Sequence, residues 1–140
     1  AERAVRDADV IVTITSASAP VLRGEWLKPG AHVNAAGSNW AHRREVDSET
    51  LKRADAIFVD SVEDAHLESG DLILPAFEGV IGWQQVQELG ALVAGRAMGR
   101  TRDDEITLFK SNGIALQDVA VGSFVYERAR ARGIGAALLL

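Results

Sequence analysis

Small and hydroxyl-bearing residues follow three apolar segments of this sequence. They stand in AHVNAAGSN (31–39), in VTITSAS (12–18) and in FKSNG (109–113). Small residues let a planar ring or a phosphate approach the backbone closely, and hydroxyl and amide groups can hydrogen-bond a ribose, a carboxamide or a carboxylate. The three segments are therefore candidates for one binding site for a small polar ligand.

Each segment also has an ordinary structural explanation. Small residues permit tight packing of a helix on a sheet, threonine is a good strand former, and a serine or asparagine often caps the helix that follows it. Taken singly, none of the three segments specifies a ligand.

The elements that must position these segments follow from the apolar pattern. Segments 9–15, 31–37 and 56–61 are nearly continuous apolar runs, typical of strands covered on both faces of a parallel sheet. Between them lie a connector at 23–30 and a short helix at 47–54, capped by Asp47 or Ser48. This alternation predicts a doubly wound α/β sheet, in which ligands bind outside the carboxyl ends of the strands.

The rest of the chain predicts three more helices and one strand: helices over 62–68, 84–94 and 114–133, and a strand over 105–111. In the last helix Val121, Phe124 and Val125 would form the apolar face. The charged runs at 43–45 and 102–105 are expected on solvated surfaces.

The amino-acid composition excludes several classes of function. The chain has 140 residues and a net charge of −5, so there is no basic field to attract nucleic acid or an anionic membrane. The absence of cysteine excludes disulfides and thiol catalysis, and the spacing of the three histidines predicts no metal site. No apolar run is long enough to span a bilayer, and a cytoplasmic location is expected.

The order and spacing of the segments resemble the ornithine cyclodeaminase/mu-crystallin family from about Ala8 to Gly135. The motifs that carry the resemblance are ADVIVTITSASAPVLRGEWLKPGAHVNAAGSN, REVDSETLKRADAIFVDS, ESGDLILP, ELGALVAGR and GRTRDDEITLFKSNGIALQDVA. The resemblance implies a Rossmann domain that binds NAD or NADP, a dimerisation and substrate domain, a homodimer, and a small amino or imino acid as substrate. The 140 residues contain no G-x-G-x-x-G phosphate fingerprint, so the chain resembles the C-terminal portion only and is expected to be inactive alone.

The resemblance also implies a division of the chain and a set of site residues. Residues 1–103 would be the nicotinamide-side half of the Rossmann domain, and 104–140 a strand and helix returning to the dimerisation domain. Asn112 would face the substrate, and Arg43 falls where many relatives have a lysine. Cofactor contacts are implied for Thr15 with its neighbour Thr13, for Arg43, for the side chain of Ser111, and for the backbone of Val33, Asn34, Ala35 and Ala36.

Asn39 is the catalytic residue that the resemblance implies, and it departs from part of the family. Cyclodeaminases and related alanine dehydrogenases have an aspartate here that donates and accepts a proton, whereas an asparagine amide only orients a partner by hydrogen bonding. Mu-crystallin-like ketimine reductases also lack this aspartate. The resemblance therefore implies an NAD(P)-dependent ketimine reductase or amino acid dehydrogenase, with Asn39 orienting the substrate nitrogen.

Two other functions stay open on the sequence: an ornithine cyclodeaminase-type ammonia lyase that recycles its NAD internally, and a non-catalytic binder of small ligands. The substrate, and the choice between NAD and NADP, stay open as well.

Overall fold

Five parallel strands form the sheet of the computed structural model, which describes residues 1–136 and 138. In chain order they are β1 (Val10–Thr13), β2 (His32–Ala35), β3 (Ala56–Val59), β4 (Val86–Glu88) and β5 (Thr107–Lys110). Their order across the sheet is β1-β2-β5-β3-β4, and every neighbouring pair is parallel. The predicted α/β class with a parallel sheet is confirmed.

Six α-helices accompany the strands: α1 (Glu2–Val5), α2 (Ser48–Arg53), α3 (Val62–Glu68), α4 (Gly70–Phe77), α5 (Leu89–Val93) and α6 (Ala115–Ala131). Side-chain caps fix two of their starts, because Asp47 accepts from the Thr50 N–H at 2.9 Å and Ser61 from the Asp64 N–H at 3.2 Å. Of the two cap candidates for α2, Asp47 is therefore the cap. None of the helices among the described residues is long and apolar enough to cross a bilayer.

Most of the core lies on one side of the sheet, although Phe58 of β3 is buried on the other side. Val33 and Ala35 of β2 are fully buried, whereas the alternate residues of that strand are half-buried. In β1, Val10 and Val12 are each 60% exposed. The expectation that these strands are covered on both faces is therefore wrong for β1 within this chain, because nothing among the described residues packs on its second face.

Strand β5 lies in the middle of the sheet, with β2 on one side and β3 on the other. This corrects the expectation that the strand of segment 104–140 leaves the Rossmann half for another domain. Both of its edges are hydrogen-bonded to strands of that half, so β5 is part of the same sheet. The assignment of the following helix, α6, to a dimerisation domain stays a prediction.

Two helical segments differ from the predictions. The segment predicted as one helix over 84–94 is a 3₁₀ turn (Trp83–Gln85), strand β4 and the short helix α5. Val86 fits a helical spacing with Leu89, but its backbone pairs with Ile57 of β3, and this tertiary pairing overrides the local pattern. Helix α4 was not predicted, because its Gly70 and Pro75 are typical helix breakers.

Helix α6 stands apart from the core. It has no buried residue, and the predicted apolar face of Val121, Phe124 and Val125 is 57–61% exposed. No described element covers that face.

Gly70 should tolerate no side chain. A Cβ at this position would collide with the carbonyl oxygen of Arg43 and would lie 2.6 Å from that of Trp40. We expect Gly70→Ala to lower the free energy of unfolding by about 1–3 kcal/mol, because backbone must shift to admit the methyl group. Urea unfolding followed by circular dichroism measures the change.

The matched control is Gly90→Ala in α5, where nothing lies within 4 Å of the added Cβ. This substitution should raise stability by up to about 1 kcal/mol, as alanine for glycine does within helices. Equal unfolding midpoints for the two variants would contradict the tight contact at Gly70.

Candidate functional site

The carboxyl ends of four strands meet at one edge of the sheet. The last residues of β1, β2, β5 and β3 stand there in register: Thr13, Ala35, Lys110 and Val59. The three segments singled out in the sequence therefore follow neighbouring strands. This edge is where an open parallel sheet binds its ligands.

A polar cleft of about 280 Å³ opens between the loops after β1 and β2. The side chains of Thr15, Asn39 and Arg43 are exposed there. The Arg43 guanidinium lies over the Trp40 ring, 5.6 Å from its centroid. The full lining is Thr15, Ser16, Ala17, Gly37, Ser38, Asn39, Trp40 and Arg43.

A buried carboxylate, Glu45, holds these two loops together. Its oxygens accept hydrogen bonds from the Thr13 hydroxyl (3.0 Å), the Thr15 N–H and hydroxyl (both 2.6 Å) and the Gly37 N–H (2.7 Å). Burial opposes the charge, but the hydrogen bonds from Thr15, Gly37 and Thr13 outweigh it and hold the pKa of Glu45 below its ordinary value. The carboxylate is therefore ionised and immobile at neutral pH.

A buried ion pair lies next to Glu45. Asp71 of α4 accepts from the backbone N–H groups of Glu45 (2.7 Å) and Val46 (3.0 Å), and its second oxygen lies 3.5 Å from the Lys110 ammonium. Lys110 also donates to the carbonyl oxygens of Ser38 and Ser111. Burial raises the pKa of Asp71 and lowers that of Lys110, while their mutual attraction opposes both shifts.

The loop after β5 is organised by Asp60, at the end of β3. One Asp60 oxygen accepts from the Ser111 hydroxyl (3.0 Å), the Asn112 N–H (2.9 Å) and the Gly113 N–H (2.7 Å). Gly113 has a φ of +80°, a conformation that favours glycine. The side-chain carbonyl oxygen of Asn112 is buried and has no hydrogen-bond partner among the described residues.

The sequence of residues 1–133 matches the model of the ornithine cyclodeaminase/mu-crystallin family. The chain belongs to this family.

Individual relatives of the family are similar over nearly the whole chain. The Delta(1)-pyrroline-2-carboxylate reductase of Bacillus cereus is 44% identical over 94% of the chain, and the alanine dehydrogenase of Archaeoglobus fulgidus is 43% identical over 96%. The solved structure of the Thermococcus litoralis Delta(1)-pyrroline-2-carboxylate reductase with NADH and L-proline superposes with a TM-score of 0.92, at 40% identity over 99% of the chain. The chain spans only 41–43% of the length of these three relatives.

The structure brings together part of the residue set that the family resemblance implies. Asn39, Thr15 and Arg43 line one cleft, and Ser111 and Asn112 stand on the neighbouring loop over Asp60. The two groups are joined through Lys110, which binds the carbonyl groups of Ser38 and Ser111. Ligand contacts of these residues stay predictions.

The other residues implied to contact the cofactor already make contacts within the fold. The side chains of Val33 and Ala35 are fully buried in the core, and the Thr13 hydroxyl donates to Glu45. Asn34 projects to the other face of the sheet, where its side chain lies 3.3 Å from His32. The Ala36 N–H donates to the Thr13 carbonyl at 2.8 Å. The cofactor contact implied for residues 33–36 is with their backbone, and it stays a prediction.

Glu45, Asp60, Asp71 and Lys110 are the charged residues of the candidate site that the sequence analysis did not identify. The expectation that the run 43–45 is solvated is wrong for Glu45, which is fully buried. Lys110 carried a usable signal, since period-two alternation places it on the same face as the buried Leu108. Asp71 lies within the apolar run GDLILP, which also predicts burial.

Replacing Glu45 with glutamine should destabilise the protein in a pH-dependent way. The amide NH₂ would face donors that the carboxylate now satisfies, so we expect a loss of roughly 1–3 kcal/mol at neutral pH. Because folding lowers the pKa of Glu45, the ionised carboxylate stabilises the fold at pH values above its ordinary unfolded-state pKa, and this stabilisation is lost as the pH falls through the lower folded-state pKa. The difference between wild type and Glu45→Gln should therefore shrink in acid.

Unfolding free energies measured from about pH 7 down to about pH 3 test this expectation. The control is Glu63→Gln in the first turn of α3, an exposed position, where the change should stay below about 0.5 kcal/mol. A difference for Glu45→Gln that is the same at every pH would contradict an ionised Glu45.

Proposed function

We propose that the chain is the C-terminal part of an NAD(P)-dependent oxidoreductase that acts on an imino or amino acid, as a ketimine reductase or amino acid dehydrogenase. The observation that carries the proposal is Asn39, a neutral amide exposed in the cleft beside Thr15 and Arg43. An amide at this position can orient a substrate nitrogen but cannot relay a proton. The similarity to reductases and a dehydrogenase supports the same conclusion.

The site residues fit a nicotinamide cofactor. The hydroxyl hydrogens of Thr15 and Ser111 are directed to the buried Glu45 and to Asp60, so both hydroxyl oxygens can only accept hydrogen bonds from a ligand. The side-chain oxygen of Asn112 has no partner among the described residues and would accept a hydrogen bond from the substrate. A carboxamide NH₂ group offers two donors to such acceptors, and the ring that carries it supplies or accepts the hydride when bound.

The protein's own contribution is positioning. Asn39 would hydrogen-bond the substrate nitrogen, and the small residues Ala36 and Gly37 would let a planar ring lie against the backbone. Arg43 would place positive charge at the mouth of the cleft, where it favours an anionic ligand group. The proton that imine reduction also consumes would be brought by the substrate as its protonated iminium form, so no side chain of the cleft has to change its protonation state during hydride transfer.

We also propose that the intact protein is a homodimer located in the cytoplasm. The exposed apolar residues of α6 support a contact with further protein, and the lack of cysteine is compatible with a reducing compartment.

The test is an assay of the full-length protein with NADH and NADPH and the cyclic imine Delta(1)-pyrroline-2-carboxylate. We expect loss of the reduced-nicotinamide absorbance with one equivalent of cyclic amino acid formed. Ammonia release from ornithine without net loss of NADH would instead identify a lyase. Binding without turnover of any imino or amino acid would identify a small-ligand binder, and either result would overturn the proposal.

Variants of Asn39 should distinguish a residue that orients the substrate nitrogen from one that transfers a proton to it. Asn39→Leu should lower kcat/KM for the imine about tenfold to a hundredfold, because losing one hydrogen bond to a polar substrate removes roughly 1–3 kcal/mol of transition-state binding. Asn39→Asp should retain activity but add a titrating group, and so change the pH dependence of kcat/KM.

Steady-state kinetics over a range of pH provide the measurement. Asn39 is exposed, so neither variant should shift the thermal unfolding midpoint appreciably, and that midpoint serves as the control. If Asn39→Leu keeps the wild-type kcat/KM, Asn39 takes no part in the reaction.

A further inference from the structure

The Lys110 ammonium is enclosed between two loops of the candidate site. The residue is fully buried, and its ammonium donates to the carbonyl oxygens of Ser38 and of Ser111, the latter at 2.9 Å. Its third neighbour is the carboxylate of Asp71, 3.5 Å away and itself fully buried. One cation therefore contacts the loop after β2, the loop after β5 and helix α4.

The two carbonyl groups that Lys110 binds belong to the residues just before Asn39 and Asn112. Because a peptide unit is planar, fixing the carbonyl of Ser38 also fixes the N–H and the Cα direction of Asn39. The same holds for Ser111 and Asn112. The ammonium is thus the group that ties the two asparagines to each other, while Asp60 orders the loop of Asn112 from its other side.

Fold stability does not account for a charged pair at this place. Removing two charges from water carries a large desolvation cost, and replacing a buried pair by apolar residues of similar volume is often neutral or stabilising. Leu108, two residues earlier on the same face of β5, is an almost fully buried apolar residue. What an apolar residue would not do is bind two loop carbonyls.

Asp71 links this cation to the rest of the edge. While its second oxygen faces Lys110, its first accepts from the backbone of Glu45 and Val46. Glu45 in turn holds Thr15 and Gly37. A continuous chain of buried charged groups therefore runs from the end of β1 to the loop after β5.

We propose that Lys110, anchored by Asp71, is a positioning residue that holds Asn39 and Asn112 at the distance hydride transfer requires. This inference rests on the proposed oxidoreductase function. Lys110 does not contact the ligand in this scheme, so its loss should lower kcat and leave the affinity for NAD(P)H nearly unchanged.

The test compares four forms of the full-length protein in the imine reduction assay: wild type, Asp71→Asn, Lys110→Met and Lys110→Met with Asp71→Asn. Lys110→Met alone leaves the Asp71 charge buried without its cation and should unfold at clearly lower urea concentration. The double variant removes both charges and should recover much of that stability. In both variants with methionine kcat should stay at least about tenfold below wild type, while KM for NAD(P)H changes less than about threefold.

Asp71→Asn serves as the second variant if the methionine variants fail to fold. A buried lysine that loses its partner can give up its proton, and the neutral amine still donates to both carbonyl groups. Hydrogen bonds from a neutral amine are weaker than those from an ammonium and hold the two loops less firmly, so kcat of Asp71→Asn should fall a few-fold with unchanged KM for NAD(P)H. Lys52→Met, on an exposed lysine of α2, is the matched control and should keep wild-type kinetics.

The outcomes distinguish this inference from the proposed function. Recovery of both stability and kcat in the double variant would overturn the positioning role, as would wild-type kcat in Asp71→Asn when the methionine variants do not fold. Wild-type protein that does not turn over the imine would overturn the proposed function and this inference with it.

Discussion

A carboxylate removed from water must receive hydrogen bonds, and the arrangement of the sheet edge follows from how Glu45 receives them. Its four donors come from the ends of β1 and β2, and all are directed to one side chain. Its own carbonyl oxygen accepts from the N–H groups of Val21 and Leu22 at 2.7 and 3.0 Å. Glu45 therefore holds three separate stretches of chain, and the ends of β1 and β2 could not move without leaving its charge unsatisfied.

This constraint explains why Gly37 must be small. A Cβ at Gly37 would collide with the Thr15 N–H nitrogen and would lie 2.6 Å from the carboxyl carbon of Glu45. In the sequence, Gly37 suggests a place where a ligand approaches the backbone. The structure shows a second reason for a glycine, because a side chain here would collide with Thr15 and Glu45. Both requirements act at the same position, because the backbone that a ligand would approach is the backbone that Glu45 binds.

Much of the fold could be predicted from local pattern, since apolar runs and a capping aspartate act within a few residues of themselves. The first three strands and helices α2 and α3 follow from such signals. The position of β5 could not be predicted this way, because strand order is set by pairing between residues far apart in the chain. Val86 shows the same limit, since its helical spacing gives way to pairing with Ile57.

The residues of the candidate site also fall into those that the sequence predicted and those that it did not. Hydroxyl, amide and small residues at strand ends predicted that the three segments meet at one edge of the sheet, because parallel strands bring their carboxyl ends together. The buried charges beneath that edge were hidden for a physical reason: an ionised side chain in a charged run is normally solvated, and Glu45 is buried only because donors 8, 30 and 32 residues away converge on it. Those donors become neighbours only in the folded chain.

The central position of β5 has a consequence for how the chain folds during synthesis. Strands β2 and β3 are made first, yet neither is the other's neighbour, and the strand that separates them is completed only at Lys110. Until that residue leaves the ribosome, two inner strand edges lack their partner and Asp71 lacks its cation. The sheet therefore cannot form by simple addition from the N-terminus, and its closure must wait for a late, long-range insertion of the kind that folds slowly and leaves strand edges open to association.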